Sequence, residues 1–133
     1  MNRNYNLSSK ISGILLILYC LTIFSISSVS HPTKDLGLQK GTKSHLLEYS
    51  GLGLLSFIYF LTKKKATAKA AVYAIAFSIL FAISDEIHQH FTPSRECDLW
   101  DVVADSVGSS FAILISYLFL FFTKITINKQ NTD

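Results

Sequence analysis

The stretch Ser84-Asp-Glu-Ile-His-Gln-His-Phe-Thr-Pro-Ser-Arg-Glu-Cys-Asp-Leu-Trp-Asp-Val-Val-Ala-Asp105 (SDEIHQHFTPSRECDLWDVVAD) decides how this chain is read. It gathers Asp85, Glu86, His88, His90, Arg95, Glu96, Asp98, Asp101 and Asp105 between two long apolar runs. Ionisable groups at the edge of a membrane segment must be paired, hydrated or used. The runs on either side therefore come first.

Upstream lies AAVYAIAFSILFAIS, residues 70–84. It is too short to cross a bilayer alone, which takes about 20 residues. The helix is expected to continue through Asp-Glu-Ile-His-Gln, giving a span over 70–89. Downstream, VVADSVGSSFAILISYLFLFFT predicts a span over 102–123, with a loosely ordered tail at 125–133. Between them residues 90–100 read as a loop broken at Pro93. Further upstream, ISGILLILYCLTIFSISSV (11–29) is free of charge and long enough for about 28 Å of hydrocarbon. A retained helix is preferred here to a signal peptide, whose apolar region is usually ~7–15 residues. A span over 45–62, HLLEYSGLGLLSFIYFLT, follows a polar loop at 30–44. Its Gly51 and Gly53 would let neighbouring helices approach closely.

Composition agrees. Half of the 133 residues are hydrophobic and only 16% are charged, where soluble domains run near a quarter. Mean hydropathy is +0.37. The net charge of +3 has no clustered basic face to suit nucleic acid. Cys20 and Cys97 fall at different expected depths and are not expected to pair. The chain reads as one domain, an all-α integral membrane bundle of four transmembrane helices. Both termini and the 63–69 loop hold Arg3, Lys10, Lys63, Lys64, Lys65, Lys69, Lys124 and Lys129. The other side holds Lys34, Lys40, Lys43 and Arg95. The positive-inside rule then puts both termini in the cytoplasm. The cluster falls on the outer face.

At these residues the sequence resembles the VanZ-like family of small bacterial membrane proteins. Residues 85–108, DEIHQHFTPSRECDLWDVVADSVG, resemble its Asp-Glu-x-x-Gln, Pro-x-Arg and spaced-Asp pattern closing on a Gly. KSHLLEYSGLG, residues 43–53, is similar to its Lys-x-x-His-x-x-x-Tyr or Lys-x-His-x-x-x-Tyr helix opening. Lys43, His45, Glu48 and Tyr49 match the second motif. Asp85, Glu86, Gln89, Arg95, Asp98, Asp101 and Gly108 match the first. Asp105 stands where an Asn is common, and Ser94 and Ala112 where a Gly is common. The resemblance implies a multi-helix protein of the bacterial cytoplasmic membrane. The family takes its name from a protein of resistance to the glycopeptide teicoplanin.

Four chemistries fit the cluster. Asp98, Asp101 and Asp105, at i, i+3 and i+7, form one helix stripe that could hold a divalent cation with Glu86 and His88 opposite. Asp85, Glu86, His88, Arg95 and Asp101 are the candidate catalytic set, with a histidine as base and Arg95 as anion fork. Lys43, His45, Glu48, Tyr49, Gln89, Asp98 and Asp105 are candidate binding residues for a lipid head group, a lipid-linked wall precursor or a glycopeptide. In the fourth, Arg95 and Lys43 pair with Asp98, Asp101 or Glu86 and only tie helix ends together, with Asp98 as a helix cap. The other spans carry no ionisable relay, which argues against a transporter.

Overall fold

The computed structural model describes residues 2–29, 42–63, 66–93 and 98–130. Among them are four helices: α1 (Asn2–Ser27), α2 (Thr42–Thr62), α3 (Thr67–His90) and α4 (Leu99–Gln130). There is no strand among these residues. Arg95 and Cys97 lie outside the described residues, as do His31, Ser94 and most of the 30–44 loop. Lys43 is in the first turn of α2, but its side chain is outside them.

Three helices are longer than their apolar runs. α3 continues through Asp85–Gln89, as its short run requires. α1 extends back through the polar N-terminal residues. α4 does not stop near residue 123; the tail expected to be loose stays helical to Gln130. Ile125 and Ile127 continue the apolar sequence there, and no Gly or Pro interrupts it.

Among the described residues, Leu7–Ser27, Thr67–His90 and Leu99–Ile127 are long and apolar enough to cross a membrane. α2 is not among these. Its opening turns carry His45, Glu48, Tyr49 and Ser50. Among the described residues α2 and α3 each pack on the other three helices, α2 the more extensively, while α1 and α4 do not meet. A helix wrapped on three sides by protein has less need of an apolar surface than one facing lipid.

Small residues bring the helices together. A Cβ on Gly53 would lie 2.5 Å from the Ser109 carbonyl oxygen, and one on Gly108 would lie 2.5 Å from that of Leu46. The α2–α4 crossing is thus backbone against backbone. Ser50 Oγ reaches across it to the Gly108 carbonyl at 3.1 Å. On α3, Ala70, Ala74, Ser78 and Ala82 are buried at four-residue intervals, one stripe of small side chains. Ser78 meets Ser56 of α2 at 3.4 Å. The same face of α3 ends in buried Asp85, Glu86 and Gln89.

Neighbours in sequence run antiparallel. Ser12 of α1 meets Thr62 of α2 at 3.1 Å, and Phe57 packs with Ala70, Ala74 and Ile113. Lys10, Lys63, Lys69 and Lys124 sit toward this end. At the other end lie the last turn of α1, the first turns of α2, the last turns of α3 and the first turns of α4.

Candidate functional site

That second end holds the polar cluster. His45, Tyr49, Asp85, Glu86, Gln89 and Asp105 are all buried, at 0–8% relative exposure. Asp101 is the more open member, its side chain 26% exposed.

His45 enters from α2 and lies between two aspartates one turn apart on α4. Its Nε2 is 3.9 Å from Asp101 Oδ2. Its Nδ1 is 3.3 Å from Asp105 Oδ1, an ion-pair distance without hydrogen-bond alignment. Tyr49, one turn below His45, is completely buried. Its hydroxyl lies within electrostatic reach of Asp85, Asp105 and Glu86, so carboxylates from two helices surround one phenol. Glu48 is half-buried and contributes to the field at His45.

α3 divides its groups between two neighbours. Asp85 Oδ2 accepts from Ser27 Oγ of α1 at 2.7 Å and from Gln89 Nε2 at 3.0 Å. His88 turns to α1 as well. Its ring stacks on Phe24 with centroids 3.9 Å apart, and its Nε2 is 2.9 Å from Ser28 Oγ. Glu86 faces α4, where its Oε1 accepts from the Asp98 backbone N–H at 2.6 Å.

The three-aspartate stripe holds only in part. α4 starts at Leu99, so Asp98 precedes it. Asp98 Oδ1 accepts from the Trp100 N–H at 2.8 Å, the bond of an N-cap. Asp98 is exposed, whereas Asp101 and Asp105 turn inward to His45. The cluster therefore comprises His45, Tyr49, Asp85, Glu86, Asp101 and Asp105, with Gln89 behind it. His88 lies on the α1 side, and His90 is exposed at the end of α3. Among the described residues, no three His, Cys, Asp or Glu side chains are arranged to hold a metal ion.

Residues 11–121 of the 133 match the VanZ/LLP1 family. The chain belongs to the VanZ/LLP1 family. It matches no curated protein and no solved structure. The matched region covers most of α1 and all of α2 and α3. In this VanZ/LLP1 chain Asp105 is the aspartate nearest His45. An anion at that position gives the His45 ring a charged neighbour where an amide would give a neutral one.

The α1 wall of the site was not among the residues singled out. Ser27 and Ser28 end a charge-free run, and a serine there reads as helix-end polarity. Only the pairing with Asp85 and His88, about 60 residues away, reveals their place. Serines repeated at the boundary of the run (Ser25, Ser27, Ser28 and Ser30) were the available signal.

Proposed function

We propose that the cluster is a head-group site at the outer face of a bacterial cytoplasmic membrane. In this reading the chain is one membrane domain of four spans, with both termini cytoplasmic. The lysine-rich end faces inward and the His45–Asp101 end faces out. The ligand is a lipid head group or a lipid-linked wall precursor. Tolerance to glycopeptides such as teicoplanin is the phenotype through which binding is read.

One observation carries this reading. Asp85 Oδ1 and Glu86 Oε2 are buried without an aligned hydrogen bond among the described residues, while Asp105 Oδ1 faces His45 Nδ1 at 3.3 Å and the Tyr49 hydroxyl faces Asp85. Each such atom costs about 1–3 kcal/mol. A cluster that only tied helices together would place partners on these atoms. A site that receives hydroxyl, ammonium or amide donors from a ligand would leave them open. Asp101, on the exposed rim, is the first group a ligand meets, and Arg95 supplies the anion fork for a phosphate.

The second reading, a tie between helix ends, draws on the Ser27–Asp85 and Asp98–Glu86 bonds. Asp101→Asn and Arg95→Ala separate the two. Both variants are expected to accumulate in membranes at the normal level and to lose teicoplanin tolerance in expressing cells. Retained tolerance in both sinks the binding reading. Cys97 tests the orientation: an impermeant maleimide should label it in intact cells. Protection in intact cells, with labelling after permeabilisation, reverses the topology.

A further inference from the structure

α1 and α3 meet at the cluster end, through Ser27–Asp85 and Phe24–His88, and part below it. The gap is a cleft of about 560 Å³. That is within the 300–1,000 Å³ of typical small-molecule sites. Its floor is Tyr59 of α2 with Phe77 and Phe81 of α3, and α1 contributes Gly13, Leu16 and Cys20. Along α1 it runs from Gly13 to Phe24, about 16 Å at the helix rise. Ile17 and Leu21 on its rim are more than half exposed, so it opens sideways.

The two ends differ. At the lower end the Ser12–Thr62 contact sits beside Gly13, and Lys63 lies over the Tyr59 ring, 5.1 Å from its centroid. At the upper end Phe24 lines the cleft and carries the stacked His88 ring, with Ser28 Oγ beside it. An apolar trough at the depth of two candidate spans, leading up to a histidine and a serine, is complementary to a molecule with one apolar chain and one polar end.

We propose that this cleft seats the hydrocarbon chain of a single membrane amphiphile, with its head group toward Ser28 and His88. This rests on the reading above of this end as the head-group end, with Ser28 and His88 on the α1 side of the His45–Asp101 cluster, and adds the class of ligand: an acyl lipid held by its chain as well as its head. α1 and α3 are two of the helices long and apolar enough to cross a membrane, so a cleft opening sideways between them would face lipid chains, which favours that occupant over a helix from a second copy. Desolvating the aromatic floor supplies the affinity, and the His88 end sets the direction.

The full-length protein in phosphatidylglycerol–phosphatidylethanolamine vesicles, with palmitoyl lysophosphatidylglycerol bearing a diazirine, tests this. A diazirine at the chain terminus should label around Gly13 and Tyr59, and one beside the head group should label around Phe24. Excess unmodified lysolipid should compete. Cys20→Trp fills the cleft and should cut labelling about tenfold. Leu21→Trp, on the exposed rim where the fold tolerates bulk, should also reduce it. The lipid-facing surface of α4 around Phe119 and Phe122 is the internal control for non-selective contact. Equal labelling of cleft and α4, a reversed order of the two probes, or insensitivity to both tryptophans overturns the proposal. So does a crosslink between two copies through the cleft. The map does not depend on Asp101, so Asp101→Asn should leave it intact. Failure of the head-group reading is thereby distinguished from failure of the chain seat.

Discussion

Gly53→Ala is the sharpest test of how the α2–α4 crossing holds the cluster together. The added Cβ would meet the Ser109 carbonyl oxygen at 2.5 Å, its Cα at 2.8 Å and its carbonyl carbon at 3.0 Å. Ordinary carbon contacts are about 3.5 Å, so the helices must separate by roughly 0.7 Å there. The atoms met are backbone and cannot rotate away, which puts the cost near the upper end of overpacking, about 3 kcal/mol. Alanine returns about 1 kcal/mol of helix propensity. The net loss is about 2 kcal/mol, or about 8 °C in unfolding midpoint at ~4 °C per kcal/mol.

Gly51→Ala is the matched control. Its Cβ would meet only the Tyr19 side chain, the hydroxyl first and ring Cζ at 2.9 Å, and no backbone. Tyr19 would give up its 2.9 Å bond to the Glu48 carbonyl, about 1 kcal/mol. The same propensity gain offsets that loss, so the midpoint should hold. Thermal unfolding of the two variants in one detergent reads the difference directly. Equal midpoints, or a Gly53→Ala protein as stable as the parent, would refute the backbone-contact argument. The separation should also draw His45 away from Asp105, because Leu46 packs on Gly108 along the same crossing.

Other bonds give separable effects. His45→Ala removes the partner that faces buried Asp105 and should cost about 3 kcal/mol; adding Asp105→Asn should recover most of it in a double-mutant cycle, and simple additivity would show that the two do not interact. Asp98→Ala deletes the cap on Trp100 N–H and should cost about 1 kcal/mol, visible as faster amide exchange confined to the first turn of α4. Ser27→Ala removes a donor to a carboxylate, worth about 1.5–3 kcal/mol, and should loosen the end of α1 in limited proteolysis; an unchanged cleavage pattern counts against that bond.

The four helices were legible because long apolar runs leave little choice of location, although α2 is not itself apolar enough to count as a span. The extension of α3 through Asp85–Gln89 followed from length alone: a run that short has to borrow residues from its polar flank. Gly53 also announced the close crossing it makes. What periodicity could not provide was the partner across a helix pair. His45 and Asp105 are 60 residues apart, as are Ser28 and His88, and no local spacing encodes either meeting. The aspartate stripe failed at Asp98 because its side chain caps the helix, so it lies outside the helical period. The Ala70–Ala82 stripe was present at four-residue spacing, but alanine in an apolar run carries little contrast to lipid-facing neighbours. Only its continuation into Asp85 and Gln89 marks it as the buried face.

The carboxylates themselves show how tying helices and meeting a ligand can reside in one side chain. Asp85 uses Oδ2 for Ser27 and Gln89, and Glu86 uses Oε1 for the Asp98 N–H. In each, the other oxygen is buried without an aligned hydrogen bond among the described residues. Asp85→Asn and Glu86→Gln keep an acceptor oxygen for the tie but remove the negative charge from its partner atom. The tie then weakens from a charge-assisted to a neutral bond, a loss of about 1 kcal/mol. If the cluster only joins helices, function should decline in step with that small destabilisation, and a second-site stabilising change should restore it. If the free oxygens meet a ligand, teicoplanin tolerance should vanish while the protein remains folded and membrane-resident, and added stability should not bring it back. Midpoint and tolerance measured on the same two variants decide between these outcomes, because the anchoring atom and the free atom are changed by different amounts in one substitution.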